Sequence, residues 1–277
     1  GLRMKSPSFD PVLCRQLYRK HLEQSLRNFQ PFLSYDERSE FYVRLAFATG
    51  QLAPGKTLVD LGCGISLFGF LCRIYGAEVH WVDDFGGGGG IALGGTASLP
   101  PLLTWATQTH GIRVNSQDFI REPLPFPSGS VDLVTSFHSL EHWHHSPRRL
   151  FSEISRILKP GGALLLATPN AANLRKRLFL LLGQTNFPEL AEWYHEGDPV
   201  FRGHVREPVL RDLEDLLRWN GFQITGRWGR NFIGADSHSL SFLPKPVVRF
   251  LARSSAGFLR HFPTLCSDLH IAGKKAA

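Results

Sequence analysis

The segment SFHSLEHWHH, residues 136–145, gathers four histidines and a glutamate within ten positions. Its first half, His138-Ser139-Leu140-Glu141-His142, has the H-x-x-E-H spacing of an inverted zinc-hydrolase motif. Imidazole and carboxylate groups at this density can ligate a divalent ion, and imidazole alone can take a proton near neutral pH. Hydrolase chemistry would need both histidines on one helix, facing the same way. The preceding LVTSF is strand-like and Ser146-Pro147 opens a helical pattern, so that geometry is not expected. His144 and His145 are expected in the exposed loop between.

A second segment with chemical potential is LVDLGCGISLFGFLC, residues 58–72, a strand pattern running through Gly62-Cys63-Gly64 into a helical one. Glycines there let the chain turn tightly and let a ligand approach the helix start with no Cβ in the way. A dinucleotide fingerprint would want glycine where Leu67 stands, and a phosphate loop would want a terminal Gly-Lys-Ser/Thr that is absent. The glycine run at 86–90 lacks that lysine too. About twenty residues after the first loop, EVHWVDD ends in Asp83 and Asp84. A carboxylate at that place can accept hydrogen bonds from both hydroxyls of a ribose, each worth about 1.5–3 kcal/mol for a charged acceptor. Asp83 is the candidate, and Asp84 reads as an exposed turn acid.

These groups need a frame, and the hydrophobic pattern supplies one. Residues 1–52 read as a helical extension, with PVLCRQLYRKHLEQSLRNF and DERSEFYVRLAFATG spacing apolar residues three or four apart. From Thr57 the period changes. TLVDLG, EVHWVD, IRVNS, VDLVTSF and GALLLAT look like strands, separated by helical stretches at 66–75, 99–109 and 147–158. Alternation of this kind implies an α/β domain, residues 53–277, built on a mostly parallel sheet. A segment at about 171–205 is too long for a plain connection and reads as a cap over a site. A helix at 208–220 and two last strands, FQITGRWG and SDLHIAGKK, complete the domain. Between those strands an insertion at about 244–262 carries an amphipathic helix, with Val247, Leu251, Phe258 and Phe262 opposite Arg249, Arg253 and Arg260.

Composition narrows the classes. The 277 residues carry 31 lysines and arginines against 24 acids, a net charge of +7, with much of the excess after Ser241. The four cysteines form no C-x-x-C pair, which speaks against a zinc ribbon or a disulfide framework. No run approaches the roughly 18–20 apolar residues needed to cross a bilayer, and a cytoplasmic protein is expected. The basic amphipathic helix at 246–261 adds the expectation of a peripheral membrane contact.

In chain order, VDLGCGISLFG, VHWVDD, QDFIREPLPFPSGSVDLVTSFHSLEH and RILKPGGALLLATPN resemble the class I S-adenosylmethionine-dependent methyltransferases, over about residues 55–170. The later FRGHVREPVLRDLEDLLRWNGFQI resembles bacterial members acting on glycans or lipids and those similar to ubiquinone-pathway O-methyltransferases. The resemblance implies a Rossmann-like seven-stranded sheet of order 3-2-1-4-5-7-6 with S-adenosyl-L-methionine across the ends of strands 1 and 4. It implies that Asp60, Gly62, Cys63 and Gly64 surround the methionine end, Asp83 holds the ribose, Asp118 and Phe119 meet the adenine, and Phe137 borders the pocket. Ser66 stands where many members have a further glycine.

On this reading SFHSLEHWHH leaves the fourth strand at the mouth of the active site. Some relatives bind a divalent metal there through E-x-x-E-H and a distant histidine. This chain offers His138, Glu141, His142 and His204, a set shifted from Mg²⁺ toward Zn²⁺, Mn²⁺ or Fe²⁺. Many relatives have Leu-Glu-His without a metal, and a metal-free site is the expectation. Methyl transfer from a sulfonium draws about 7–11 kcal/mol from alignment, against the 10²–10⁴-fold typical of a general base. His142, His138 and His204 are the candidates for taking a proton from a hydroxyl. The expected function is transfer of a methyl group to a small-molecule, lipid or sugar acceptor, at oxygen rather than nitrogen. RNA methylation, prompted by the charge, and a non-catalytic scaffold of the same fold are the rival readings.

Overall fold

The structure, a computed structural model of the chain, describes residues 9–27, 33–86, 99–185, 187, 189–197, 200–231, 257–259 and 261–276. Two N-terminal helices, α1 (Pro11–His21) and α2 (Glu37–Ala48), precede the sheet. The sheet region then runs β1 (Thr57–Leu61), α3 (Leu67–Ile74), β2 (Glu78–Asp83), α4 (Leu99–His110), β3 (Arg113–Ser116), β4 (Val131–Phe137), α5 (Arg148–Ile157) and β5 (Leu158–Pro169). The segment after β5, expected as a cap, holds α6 (Leu174–Leu181) and α7 (Leu190–Tyr194), and α8 (Leu210–Trp219), β6 (Phe222–Arg230) and β7 (Asp268–Lys275) follow. The glycine run and the expected amphipathic helix at 246–261 lie largely outside the described residues.

The strands form one seven-stranded sheet of order β3-β2-β1-β4-β5-β7-β6, as expected. The first five pair in parallel, and β7 enters antiparallel between β5 and β6. Side chains alternate between two cores. Val59, Leu61, Leu164 and Leu166 join α5 and α8 on one face, while Leu58, Leu133, Leu165 and Ala167 join α1–α4 on the other. Each fully buried leucine or phenylalanine contributes about 1.5–3 kcal/mol, so the two covered faces fix the register of the strands.

The helix starts follow local chemistry. Asp10 accepts from the amides of Val12 and Leu13, Asp36 from Ser39 at 2.7 Å, and Asn173 from Lys176 at 2.9 Å. Such caps contribute about 1 kcal/mol each. α2 matters most for function, because Tyr42 stacks on Phe137 at 4.1 Å and so brings the N-terminal extension over the end of β4. Among the described residues no helix is long and apolar enough to cross a membrane.

Candidate functional site

The order of the sheet reverses between β1 and β4, and a crevice forms outside the carboxyl ends of those strands. A cleft of about 230 Å³ lies there, lined by Asp60, Cys63, Ile65, Ser66, Phe137 and His138, and on its far wall by Asp36, Arg38, Ser39 and Tyr42 of the α2 region. Of the sequence candidates, Asp60, Cys63, Phe137 and His138 meet in this cleft. The contribution of α2 was not anticipated. Helical periodicity marks which face of α2 is apolar but carries no information on which end of the sheet it covers.

Gly62 and Gly64 both adopt left-handed backbone, with φ of +63° and +50°. Their constraints differ. A Cβ at Gly62 would lie 1.9 Å from Ser139 Oγ, whereas one at Gly64 would meet nothing within 4 Å. Gly62 therefore allows the β1 loop to pack on the β4 exit, and Gly64 leaves open space facing the crevice. Ser66, at the start of α3, has a buried hydroxyl without a protein partner.

Asp83 ends β2 and is fixed by two backbone amides. Its Oδ2 accepts from Gly64 N and its Oδ1 from Phe85 N, each at 2.7 Å. The carboxylate thus ties the glycine loop to β2 and retains acceptor capacity for a ligand. Burial pushes its acid above the ordinary carboxylate value, against the pull of the two amides. Asp60 is more deeply buried. Its environment pushes it up to about 7 through burial first, opposed by a 2.6 Å hydrogen bond from Thr135 and reinforced by the charge of Asp83.

Asp118 is differently placed. Its carboxylate accepts from Arg121 Nε at 2.5 Å and from the amides of Ile120 and Arg121, organising the turn after β3. Phe119 is buried, edge-on to Trp143 at 6.0 Å, with its ring 3.2 Å from the place of a Gly62 Cβ.

The histidine segment leaves β4 through a strained residue: His138 has φ +50°, a conformation costing a non-glycine residue about 1–2 kcal/mol. Its Nδ1 lies 3.5 Å from Glu141 Oε1, and its Nε2 is buried without a hydrogen-bond partner. Glu141 and His142 follow in a single 3-10 turn rather than an α-helix, which removes the hydrolase geometry as expected. His144 and His145 are exposed.

The cap returns onto this turn through backbone pairing, because Val205 N and Arg206 N both donate to Glu141 O, at 2.7 and 3.2 Å. That pairing delivers His204 to His142, with ring centres 4.9 Å apart. His142 Nδ1 faces the carbonyls of Arg202 and Gly203 at 2.9 and 3.1 Å, and His204 Nδ1 faces Glu207 Oε1 at 2.7 Å. Glu207, itself paired with Lys176, holds His204 above the ordinary histidine value. Glu141, 1% exposed, accepts from Thr168 on Oε2 while its Oε1 has no hydrogen-bond partner. One ligand atom from each of Glu141, His142 and His204 lies within 4.8 Å of the other two. Both imidazoles thus have Nδ1 held by a protein oxygen, and partners of that kind orient metal-binding histidines. Glu207 was missed in the sequence; the spacing H-x-x-E from His204 was its one local signal. Arg202 also reaches across to Asp84, 3.7 Å away, at the end of β2.

A sheet of this order, with a glycine loop after its first strand and a paired acid after its second, defines a protein of the class I S-adenosylmethionine-dependent methyltransferase superfamily. Within it, the chain belongs to the methyltransferase domain family, which matches residues 32–226. It is 30% identical over 134 residues to the ubiquinone biosynthesis O-methyltransferase of Xanthomonas oryzae pv. oryzae, covering 46% of this chain and 49% of that protein. Its similarity to the Burkholderia thailandensis protein of the same name is 29% over 171 residues, 62% of this chain and 66% of that one. The chain thus spans less than two thirds of the length of these curated relatives. A crystal structure of an S-adenosylmethionine dependent methyltransferase from Mesorhizobium loti shares the fold, at 19% identity and a TM-score of 0.54, covering 86% of this chain and 98% of that one.

Proposed function

We propose that the protein transfers a methyl group from S-adenosylmethionine to an oxygen atom of a small-molecule, lipid or sugar acceptor. The observation that carries this reading is Asp83, a carboxylate held by the Gly64 and Phe85 amides beside the β1 loop. In that position it can receive the two ribose hydroxyls of the cofactor. The amino-acid end of the cofactor is a zwitterion and needs both signs of charge. The cleft offers Arg38 as cation and Asp36 and Asp60 as acids. Oxygen as the methylated atom is favoured by the names of the two curated relatives, both O-methyltransferases.

The sulfonium is already activated, so the protein's work is alignment and removal of one proton. Of the three candidate histidines His138 lines the cleft, and its buried Nε2 has no protein partner. It is the residue assigned to accept the acceptor's proton, with Glu141 beside Nδ1. A second reading concerns a divalent metal. The donor set of Glu141, His142 and His204, with the orphaned Glu141 oxygen, fits such an ion in chemistry and spacing. A bound metal would acidify the acceptor hydroxyl.

Calorimetric titration with S-adenosylhomocysteine in EDTA tests the first part of the reading, and a folded protein that binds none rejects it. Restoration of binding by Mn²⁺ or Zn²⁺ would transfer weight to the metal reading. Transfer of a labelled methyl group to hydroxylated acceptors then tests the second part.

A further inference from the structure

Neither cap helix buries a residue: α6 and α7 pack no side chain fully into the protein. Yet α7 turns large apolar side chains outward, with Leu190 74% and Trp193 59% exposed. Beside α7 runs a groove of about 420 Å³ walled by Phe187, Leu190, Trp193, Phe201 and Val205. That volume falls within the ~300–1,000 Å³ of small-ligand sites. Among the described residues its polar side-chain groups are Thr185, His204 and the indole N–H of Trp193. His204 is also the connection to the reactive centre, since its ring stands 4.9 Å from that of His142. A molecule lying in the groove therefore has one end at the histidine cluster.

The lining chemistry selects among the acceptors. A sugar brings many hydroxyl groups, each needing a partner when taken from water, and the described lining of this groove is mostly apolar. A hydrocarbon needs none and gains from every apolar contact. We propose, resting on the methyl-transfer reading above, that the groove receives the hydrocarbon portion of the acceptor. The acceptor is then an amphipathic molecule with its hydroxyl group at the cluster of Glu141, His142 and His204, which His138 joins through Glu141 at 3.5 Å, and its alkyl or ring portion along Leu190 and Trp193.

The test is calorimetric titration of the protein, loaded with S-adenosylhomocysteine, with 4-alkylphenols from ethyl to octyl below their aggregation limits. Affinity is expected to rise about two- to fourfold per added methylene. In Leu190→Asp and Trp193→Ala the rise should flatten while S-adenosylhomocysteine binding persists. Both side chains are exposed, so neither substitution threatens folding. A chain-length dependence absent in the wild type, or unchanged in both variants, would overturn the groove assignment and leave the methyl-transfer reading standing. Loss of S-adenosylhomocysteine binding by the wild type would instead reject the reading on which the proposal rests. Sedimentation with phosphatidylcholine vesicles, without chain-length dependence for the free phenols, would reassign the groove to a bilayer surface and overturn the proposal.

Discussion

Replacing Asp83 by asparagine keeps the shape of the side chain and removes half of its accepting power. In the wild type both oxygens are engaged at 2.7 Å, by Gly64 N and Phe85 N, and a carboxylate has about four lone-pair sites, leaving two for ribose hydroxyls. Asparagine has one accepting oxygen, and its NH₂ group must face one of the two amides. The variant therefore loses a charged-acceptor hydrogen bond to the ribose, about 1.5–3 kcal/mol of binding, while the backbone N–H left unpaired lowers the stability of the fold by about 1–3 kcal/mol with or without ligand. Only the lost ribose bond enters binding, and about 1.5–3 kcal/mol corresponds to a ~10–150-fold increase in Kd. Calorimetry with S-adenosylhomocysteine measures it, with circular dichroism confirming that the variant is folded. An analogue lacking both ribose hydroxyls should bind wild type and variant with similar affinity. A variant within about threefold of the wild type would refute the assignment of Asp83 to the ribose.

Three further outcomes are expected. Burial pushes Asp60 up from 3.8 to about 7, so between those values the folded chain keeps a proton that the unfolded chain has lost. That contribution to stability falls as pH rises through the window and is level above it, and Asp60→Asn should abolish it; equal changes in Tm for both proteins between pH 5 and 8 would contradict this. Gly62→Ala places a Cβ 1.9 Å from Ser139 Oγ at a φ of +63°, and should lower stability by at least about 1–2 kcal/mol from the backbone alone, seen as a Tm lower by several degrees. Glu207→Gln should weaken Zn²⁺ or Mn²⁺ binding about 10–100-fold in metal titrations, through the orientation of His204, and an unchanged titration curve would remove the metal reading.

The strands were legible because each is a short apolar run between turn residues, and all seven lie within a few residues of their expected places. β5 begins earlier, at Leu158 rather than near Gly162, because Leu158 pairs with Val131 across an irregularity in the ladder. α1 ends at His21 although the apolar spacing continues. Leu22 and Leu26 remain buried in the turns that follow, held by isolated bonds to Tyr18 O and Leu22 O, so the periodicity records burial rather than continuous helix. The glycine loop and Asp83 were readable because their chemistry is local. Arg38, Tyr42 and Glu207 were not, since each reaches the site through packing between distant segments. His138 illustrates the middle case: its type was visible, its left-handed backbone was not.

The contact between Arg202 and Asp84 bears on the passage of the nucleotide. β1 lies between β2 and β4 in the sheet, so a segment anchored to Glu141 beyond β4 and touching Asp84 at β2 crosses above the Gly62–Gly64 loop. Both partners are partly exposed, and such a pair is worth no more than about 1 kcal/mol, so the segment is held chiefly at its Glu141 and His142 end and only weakly at Asp84. A nucleotide held by Asp83 would lie beside this contact, and the Arg202–Asp84 pair would have to part wherever the nucleotide passes it. Added salt, by weakening that exposed pair, should then quicken dissociation of S-adenosylhomocysteine, and Arg202→Gln should remove the salt effect.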